Sequence, residues 1–299
     1  MKEYIIKFGN LDRRIIFLLI GLSVLIPLIN PNLIDLPLGQ DRNTKVVYDS
    51  INNLKTNDKV LISFAYGAST KPEVHPMAIA LLNHLFTKGV KVYMVSLWPE
   101  SPIMAEQAIS SIKDSKLFNI EDGIDYVMFD YKVGGFVVIK GIADNFREIY
   151  QQDKNGKSIN ELPIMNDVYN VTDFDFVFDF SAGVPGNAEW VQYACDPKNV
   201  PLSSGCTSIM VTDAIPYVES GQLKGILAGM PGAAEYEQMV YDFMITKQDE
   251  GEDLYINSNV NITKGKAYAR MSAQSVAHLL MVLFIIIGNI AYYYTRKEN

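Results

Sequence analysis

Short apolar runs alternate along the middle of the chain with segments in which apolar residues recur at helical spacing. The run KVLISFA at 59–65 is typical of a strand buried on both faces, and the segment after it is typical of an amphipathic helix. Strands are predicted at 59–65, 90–97, 124–129, 173–180, 200–203 and 222–230. Helices are predicted at 44–54, 73–88, 104–118, 136–150, 187–194, 213–219 and 233–247.

This alternation predicts an α/β fold across residues 44–247, with a doubly wound, mostly parallel, Rossmann-like sheet. Strands that alternate with helices of this length are joined by right-handed crossovers, which place neighbouring strands in parallel. No sequence period of a solenoid accompanies the recurrence. The repeated unit is therefore one of fold and not of sequence.

The stretch DFDFVFDFSAGVPGNAEW at 173–190 contains the clearest strand, turn and helix signal. Four phenylalanines fall on one face of this strand. The other face receives Asp173, Asp175, Val177 and Asp179. A turn with two glycines and a proline follows, and a helix begins directly after it. We expect this unit to supply the fourth strand of the sheet and the helix after it.

The segment 151–172 interrupts the alternation. It is polar, holds a turn sequence at 153–156 and is longer than an ordinary connection between a helix and a strand. It is predicted to be a surface excursion or a flap.

Both ends of the chain are apolar. A first membrane span is predicted at 15–33 and a second at 271–294, where an uncharged stretch ends in a tyrosine cluster typical of membrane interfaces. An N-terminal signal peptide also fits the first segment, but no A-x-A-like cleavage site follows it. The remaining parts are predicted as tails at 1–14 and 295–299, a stalk at 34–43 and a linker at 248–270.

Basic residues set the expected orientation of these spans. Lys2, Lys7, Arg13 and Arg14 precede the first span, and Arg296 and Lys297 follow the second. The excess of positive charge predicts a cell-membrane protein with cytoplasmic termini and an α/β domain on the outer face. A second group, at Lys264, Lys266 and Arg270, argues against this orientation.

The formal net charge of −8 argues against a nucleic-acid partner, because phosphates require a basic face. It also disfavours a broad polybasic contact with anionic lipid. The chain has two cysteines, Cys195 and Cys206. The first is predicted near a helix end and the second beyond the following strand, so we expect two free thiols.

Ligands of an open parallel sheet bind outside the carboxyl ends of its strands. Two glycine-proline turns at this edge, GVPGN at 183–187 and GMPG at 229–232, precede helices whose free N–H groups attract anions. The alternative is that both segments are tight turns with only a structural role. The carboxylates of Glu189 and Glu235, in the first turns of the following helices, weaken the hypothesis of an anion site. The candidate ligand-binding residues are Ser181, Gly183, Gly186, Asn187, Ser204, Thr207, Gly229 and Gly232.

The sequence also contains residues that suit a metal site or a hydrolytic site. Asp173, Asp175 and Asp179, with Asp130 on a neighbouring strand, are oxygen ligands that suit Mg²⁺ or Ca²⁺, but carboxylates on one strand diverge. A hydrolytic arrangement would take its members from Cys206, Ser181, His75, His84, Asp130 and Asp213. The chain has no G-x-S-x-G sequence, and no catalytic residue, metal or cofactor is predicted.

The segments STKPEVHPMAIALLNHLF, SAGVPGNAEWVQY and GMPGAAEYE resemble an uncharacterised bacterial family of membrane-anchored proteins with one Rossmann-like domain between two spans. The architecture is also similar to auxiliary components of ABC-type systems. Neither resemblance implies an activity or a catalytic residue.

The expected function is that of a non-enzymatic subunit or scaffold of a membrane protein assembly. Its partners would be the lipid bilayer and other membrane proteins, with a homo-oligomer left open. The alternative is a tethered receptor for a small ligand, an anion among the options, at the carboxyl ends of the strands.

Overall fold

The structure, a computed structural model, describes residues 12–30, 33, 39, 41–250 and 255–296. Parts of the predicted tails, stalk and linker lie outside these residues. Within the described chain, residues between Leu38 and Ala267 form one compact unit, and those before and after form a second. We call the first of these the α/β domain.

The α/β domain holds a six-stranded parallel sheet in the order β3-β2-β1-β4-β5-β6. Its strands are β1 (Lys59–Ala65), β2 (Lys91–Ser96), β3 (Tyr126–Met128), β4 (Phe176–Ser181), β5 (Leu202–Cys206) and β6 (Ile226–Ala228). The predicted α/β class and parallel sheet are confirmed, and the strand order is that of a Rossmann-like fold.

Helices connect the strands and cover both faces of the sheet. They are α2 (Arg42–Asn52), α3 (Lys71–Thr87), α4 (Ser101–Ser115), α5 (Phe136–Asp144), α6 (Phe146–Ile149), α7 (Asn187–Trp190), α8 (Asp196–Lys198), α9 (Val211–Glu219) and α10 (Gly229–Glu250). A π-helical turn, Val191–Cys195, joins α7 to α8. The helix predicted at 136–150 is broken at Asn145, whose backbone is extended.

The side chains of β4 alternate from Phe176 onward as predicted, whereas Phe174 lies before the strand and packs in the cluster of the opposite face. Phe178 and Phe180 are fully buried on the face that packs against α3, where Phe180 also contacts Phe64 of β1. The opposite face carries Val177, which belongs to a core cluster with residues of α5, α7 and α9. Because β4 pairs with β1 and β5, both of its faces and both of its edges are inside the protein.

The predicted surface flap at 151–172 is instead part of the core. It forms three 3₁₀ turns, Ile159–Glu161, Pro163–Met165 and Val171–Asp173, and its apolar side chains are buried in the same cluster as Val177. The Tyr93 hydroxyl donates to the Ile164 carbonyl at 2.5 Å, and Arg147 donates to the Val168 carbonyl at 2.7 Å. The apolar residues of the 3₁₀ turns recur at neither the helical nor the strand spacing. The sequence pattern therefore did not indicate that they are buried.

The predicted strand at 200–203 was placed too early. Strand β5 runs from Leu202 to Cys206, and all five of its residues are buried. The sequence SSGC reads as a turn because its residues are small or polar. Pairing with β4 on one side and β6 on the other holds these residues in a strand.

Two apolar helices flank the α/β domain in sequence. Helix α1 (Arg13–Ile29) has 17 residues, which is about 26 Å and falls short of a hydrocarbon core of about 30 Å. The N-terminal span at 15–33 therefore stays a prediction. Helix α11 (Lys266–Arg296) contains a 28-residue stretch, Lys266–Tyr293, with a mean hydropathy of 2.0. By length and composition this stretch is able to cross a membrane, and only 11% of its apolar window is buried, unlike the core helix of a soluble protein.

Candidate functional site

The carboxyl ends of the strands meet at one edge of the sheet, which we call the carboxyl edge. It consists of the turns after the strands and the first turn of each following helix, at 66–73, 97–103, 129–137, 182–189, 207–213 and 229–235. The direction of the strand order reverses between β1 and β4, which is the place where ligands of this fold class bind.

A group of buried polar side chains lies behind this reversal point. Asp179 of β4 pairs in register with Ser63 of β1 and Ser204 of β5, so the three side chains project from the same face of neighbouring strands. Ser181 lies two residues further along β4, and Asn187 begins α7. All five residues are 0–1% exposed, and we call them the Asp179 cluster.

The hydroxyls of Ser63, Ser181 and Ser204 lie close enough to the Asp179 carboxylate to lower its pKa by hydrogen bonding, but no polar side-chain atom of the Asp179 cluster has a hydrogen bond of standard geometry. This holds for both carboxylate oxygens of Asp179, for the three serine hydroxyls and for the oxygen and nitrogen of the Asn187 amide. Buried polar groups normally have partners, and leaving one without costs about 1–3 kcal/mol. The cluster is thus a group of buried polar side chains surrounded by an apolar core.

Burial raises the pKa of Asp179 to about 7, because the ionised carboxylate loses its hydration. The hydroxyls of Ser181, Ser63 and Ser204 face the carboxylate and oppose part of this rise, while the negative charge of Glu189 adds to it. The carboxyl group therefore changes its charge near neutral pH.

Gly186 is required at the turn that closes over the cluster. A β-carbon there would lie 2.8 Å from the β-carbon of Ser181 and 2.7 Å from the carbonyl oxygen of Gly183. The Val184–Pro185 peptide bond is cis, and the Val184 carbonyl accepts a hydrogen bond from the Trp98 indole at 3.2 Å. A β-carbon on Gly183 would meet the same indole ring at 3.0 Å.

Backbone N–H groups at three carboxyl-edge turns are already bound by glutamates of the chain. Glu189 accepts from the Gly186 N–H at 2.7 Å and Glu100 from the Ala68 N–H at 2.7 Å. Glu73 accepts from the Ser208 N–H at 2.7 Å and from the Ser208 hydroxyl at 2.5 Å. These carboxylates occupy the positions that an anionic ligand would need. The geometry disfavours the anion version of the receptor hypothesis.

The eight predicted ligand-binding residues do not form one site. Ser181, Asn187 and Ser204 belong to the Asp179 cluster, although Ser204 lies inside β5 and not in the predicted turn after it. The glycines Gly183 and Gly186 shape the turn above it. The backbone N–H of Thr207 donates to the Ser181 carbonyl at 3.4 Å, which ties two neighbouring strand ends together.

Gly229 and Gly232 have structural roles at the start of α10. Gly229 has a φ of +57° and lies against Glu73 and Ser208, so a side chain there would be strained. A β-carbon on Gly232 would lie 2.9 Å from the backbone of Leu227, which shows that this glycine allows close packing of helix on strand.

An open groove of about 390 Å³ lies beside the turn after β4. Its lining residues are Val184, Asn187, Ala188, Glu189, Met210, Thr212, Asp213, Pro216 and Tyr217. Glu189 and Asp213 give the groove a negative charge, whereas Asn187 connects its wall to the Asp179 cluster.

The acidic residues proposed as metal ligands have separate roles. Asp173 lies in a 3₁₀ turn and accepts from the N–H groups of Tyr169 and Asn170 at 2.8 and 2.9 Å. Asp175 accepts from the Lys59 N–H at 2.8 Å at the beginning of the sheet. Among residues 12–30, 41–250 and 255–296, which the structure describes, no group of three or more His, Cys, Asp or Glu side chains forms a metal site.

The two histidines proposed as catalytic bases are hydrogen-bonded in the core. His75 Nδ1 lies 2.8 Å from the Tyr66 hydroxyl, and His84 Nδ1 lies 2.9 Å from the Tyr236 hydroxyl. Burial, with the positive charge of nearby lysines, lowers the pKa of His75 to about 4 and that of His84 to about 3. Each imidazole is therefore a weak base, and its Nδ1 atom already has a tyrosine hydroxyl as its hydrogen-bond partner.

Cys195 and Cys206 are free thiols, as predicted, and both are buried. Burial, with a smaller effect of the Asp179 charge, raises the pKa of Cys206 to about 12 and also raises that of Cys195. We expect both native thiols to react with iodoacetamide at least about 100-fold more slowly than a free thiol, because the thiolate is the reactive species. Mass spectrometry of timed samples measures this.

Ile209→Cys is the matched control for thiol labelling, because Ile209 is 85% exposed on the turn after β5. The added thiol should react at the rate of a free one while the two native thiols do not. Rapid labelling of Cys206 in the folded protein would show that it is accessible and would revive it as a candidate nucleophile.

Sequence reasoning missed the contributions of Ser63, Glu73 and Glu100. A serine in the apolar run of β1 was a visible signal, since a buried hydroxyl needs a partner. The glutamates gave no such signal, because each binds a turn that is distant in sequence.

The chain matches no family of known proteins, no curated protein and no solved structure. The resemblances noted from the sequence remain expectations.

Proposed function

We propose that this chain is a non-enzymatic subunit of a membrane assembly and that its α/β domain binds a partner membrane protein through the carboxyl edge. The observation that carries the proposal is the exposure of apolar side chains on this edge. Ile209, Val133 and Val184 are 85%, 84% and 75% exposed, and each lies on the turn after a different strand. Further exposed apolar side chains at the same edge are Ile103, Phe136 and Val137.

Exposed apolar side chains that are gathered on one edge are typical of an interaction surface, whereas single ones are ordinary. At the opposite edge, Tyr169 lies over the Arg147 guanidinium at 4.6 Å. Tyr255 there fills the space above Gly89. The apolar side chains of the carboxyl edge instead project from surface turns, the parts of a fold that commonly carry ligand and partner contacts.

Charge at the carboxyl edge favours a protein partner over lipid headgroups. Its segments carry six carboxylates, at Glu73, Glu100, Asp130, Glu189, Asp213 and Glu235, and two lysines, Lys71 and Lys132. An acidic rim around apolar side chains is repelled by anionic headgroups. It complements a protein surface that combines apolar and basic groups.

Both chain connections of the α/β domain emerge at the same edge. The Asp41 N–H, at the start of α2, donates to the Glu235 carboxylate of α10 at 2.9 Å. Gly265, just before α11, lies against the carboxylate of Glu237.

The proposed anchoring uses both apolar segments, at 15–33 and at 271–294. Its support is the length and apolar composition of α11 together with basic residues outside both segments, such as Arg13 and Arg14. The termini are then cytoplasmic, and the α/β domain lies on the outer face.

A photo-crosslinking amino acid at position 209, in the full chain in its native membrane, tests the proposed partner contact. We expect adducts with a membrane protein, and no such adducts from position 169 at the opposite edge. Val133→Ser, Val184→Ser and Ile209→Ser combined should lower adduct formation from position 103 more than about 10-fold without lowering Tm, because these side chains are exposed.

Raising the salt concentration to about 0.5 M should also lower the yield of adducts, because salt screens the attraction between the acidic rim and a basic partner. Adducts with lipid alone, or equal yields from both edges, would contradict a partner protein at the carboxyl edge. Adducts between two copies of the chain would identify the partner as a second copy, so that the assembly is a homo-oligomer.

The groove beside the turn after β4 supports a second candidate function, a tethered receptor for a small ligand. Glu189 and Asp213 favour a cationic ligand such as an amine, and not the anion considered from the sequence. A thermal-shift screen with amines and with carboxylates separates the two candidates. Stabilisation by an amine that Asp213→Asn removes would favour the receptor.

A further inference from the structure

We propose that the Asp179 cluster is a buried binding site for a monovalent alkali cation, Na⁺ or K⁺. Six oxygen atoms there have no partner at hydrogen-bond geometry, namely the two carboxylate oxygens of Asp179, the hydroxyl oxygens of Ser63, Ser181 and Ser204 and the amide oxygen of Asn187. Each of these side chains is at most 1% exposed. The proposed cation site does not require the partner contact, although its entrance shares Val184, Glu189 and Asp213 with the carboxyl edge.

The backbone brings these oxygens to one place. Ser63 and Ser204 are the register partners of Asp179 on the strands to either side, about 4.8 Å away in the direction of the sheet. A β-carbon on Gly186 would lie 2.8 Å from the β-carbon of Ser181, so the backbone of the next residue, Asn187, lies beside the carboxyl end of β4. Oxygen atoms gathered in this way can replace the hydration shell of a hard cation.

Charge balance selects a monovalent ion. Asp179 supplies one negative charge, and the serine and asparagine ligands are neutral, so one positive charge makes the buried site neutral. A divalent cation would leave a net charge in the core, which is costly. The other titratable groups that act on Asp179 are the Glu189 carboxylate on α7, the Cys195 thiol on the π-helical turn and the Cys206 thiol on β5.

The groove provides a route to the site. Asn187 lines the open groove and is also a member of the cluster, so rotation of its amide would connect solvent to the carboxylate. The groove carboxylates, Glu189 and Asp213, would raise the local concentration of cations at this entrance.

Thermal unfolding of the full chain in mild detergent tests the site. At about pH 8.5, where Asp179 is ionised, NaCl or KCl should raise Tm by about 5 °C over choline chloride of equal ionic strength, provided that the ion is about 100-fold above its dissociation constant. At about pH 5 the difference should vanish, because a proton then occupies the carboxyl group. Choline is the probe of ionic strength alone, since it is too large for the cluster.

Two variants assign the effect to this site. Asp179→Asn should remove the difference between alkali and choline salts, and Ser204→Ala should reduce it while leaving the fold intact. Should Asp179→Asn fail to fold, the pH comparison and Ser204→Ala still decide the question. Equal Tm values in NaCl, KCl and choline chloride at about pH 8.5 would overturn the proposal and indicate a cluster filled by water. A larger stabilisation by Mg²⁺ or Ca²⁺ would overturn the charge-balance argument.

Discussion

Asp179→Asn is expected to raise the free energy of unfolding at about pH 8 by on the order of 4 kcal/mol when alkali cations are absent. The pKa of the Asp179 carboxyl rises from 3.8 to about 7 on folding, so the folded protein holds a proton that the unfolded chain releases between these values. Stability therefore falls as the pH rises through this window, and the loss is complete above the folded pKa. Asparagine keeps the shape of the protonated acid and never ionises.

Thermal or urea unfolding in choline chloride between about pH 4 and pH 8 measures this effect. The wild-type protein should lose stability steadily across the range, whereas Asp179→Asn should change much less. Asp130→Asn is the matched control, because this carboxylate is exposed on the turn after β3 and its removal should leave the slope unchanged. A wild-type curve that is flat, or one that rises with pH, would mean that Asp179 is ionised and satisfied in the folded state.

The pattern of apolar residues was sufficient to predict the sheet where each strand had an apolar centre. β1 was predicted at its observed bounds, Lys59–Ala65, because a short apolar run flanked by polar residues is typical of a buried strand. β5 failed the same test, since its burial comes from strands on both sides and not from its own residues. The 3₁₀ segment at 151–172 failed for a related reason, because its apolar residues follow no regular period.

One turn beside the candidate site was identified from the sequence, whereas the polar cluster behind it was not. The turn at 183–187 was identified from glycine and proline, whose local conformations are readable from sequence. The polar cluster depends on the register of Ser63, Asp179 and Ser204, which are on three different strands. The glutamates that occupy the turn N–H groups are equally distant in sequence, so composition suggested an anion site that the structure disfavours.

Gly186→Ala should lower the free energy of unfolding by about 2–3 kcal/mol, a typical cost of forcing atoms into a packed site. The added methyl group would lie 2.7 Å from the Gly183 carbonyl oxygen and 2.8 Å from the β-carbon of Ser181, and neither atom is at the end of a flexible side chain. The turn must therefore move away from Ser181. Asn187 would move with it, which opens the Asp179 cluster to water.

Gly183→Ala is the matched control for this prediction, since it adds the same methyl group to the same turn. Its β-carbon would meet the Trp98 ring at 3.0 Å, and the half-exposed ring can move aside. Unfolding measured side by side should show the larger loss in Gly186→Ala. The Gly186 variant should also weaken the pH dependence attributed to Asp179, because water that reaches the carboxylate lowers the cost of its ionisation. Equal losses in the two variants would mean that the turn yields as a whole and that the contact between Gly186 and Ser181 does not hold the cluster closed.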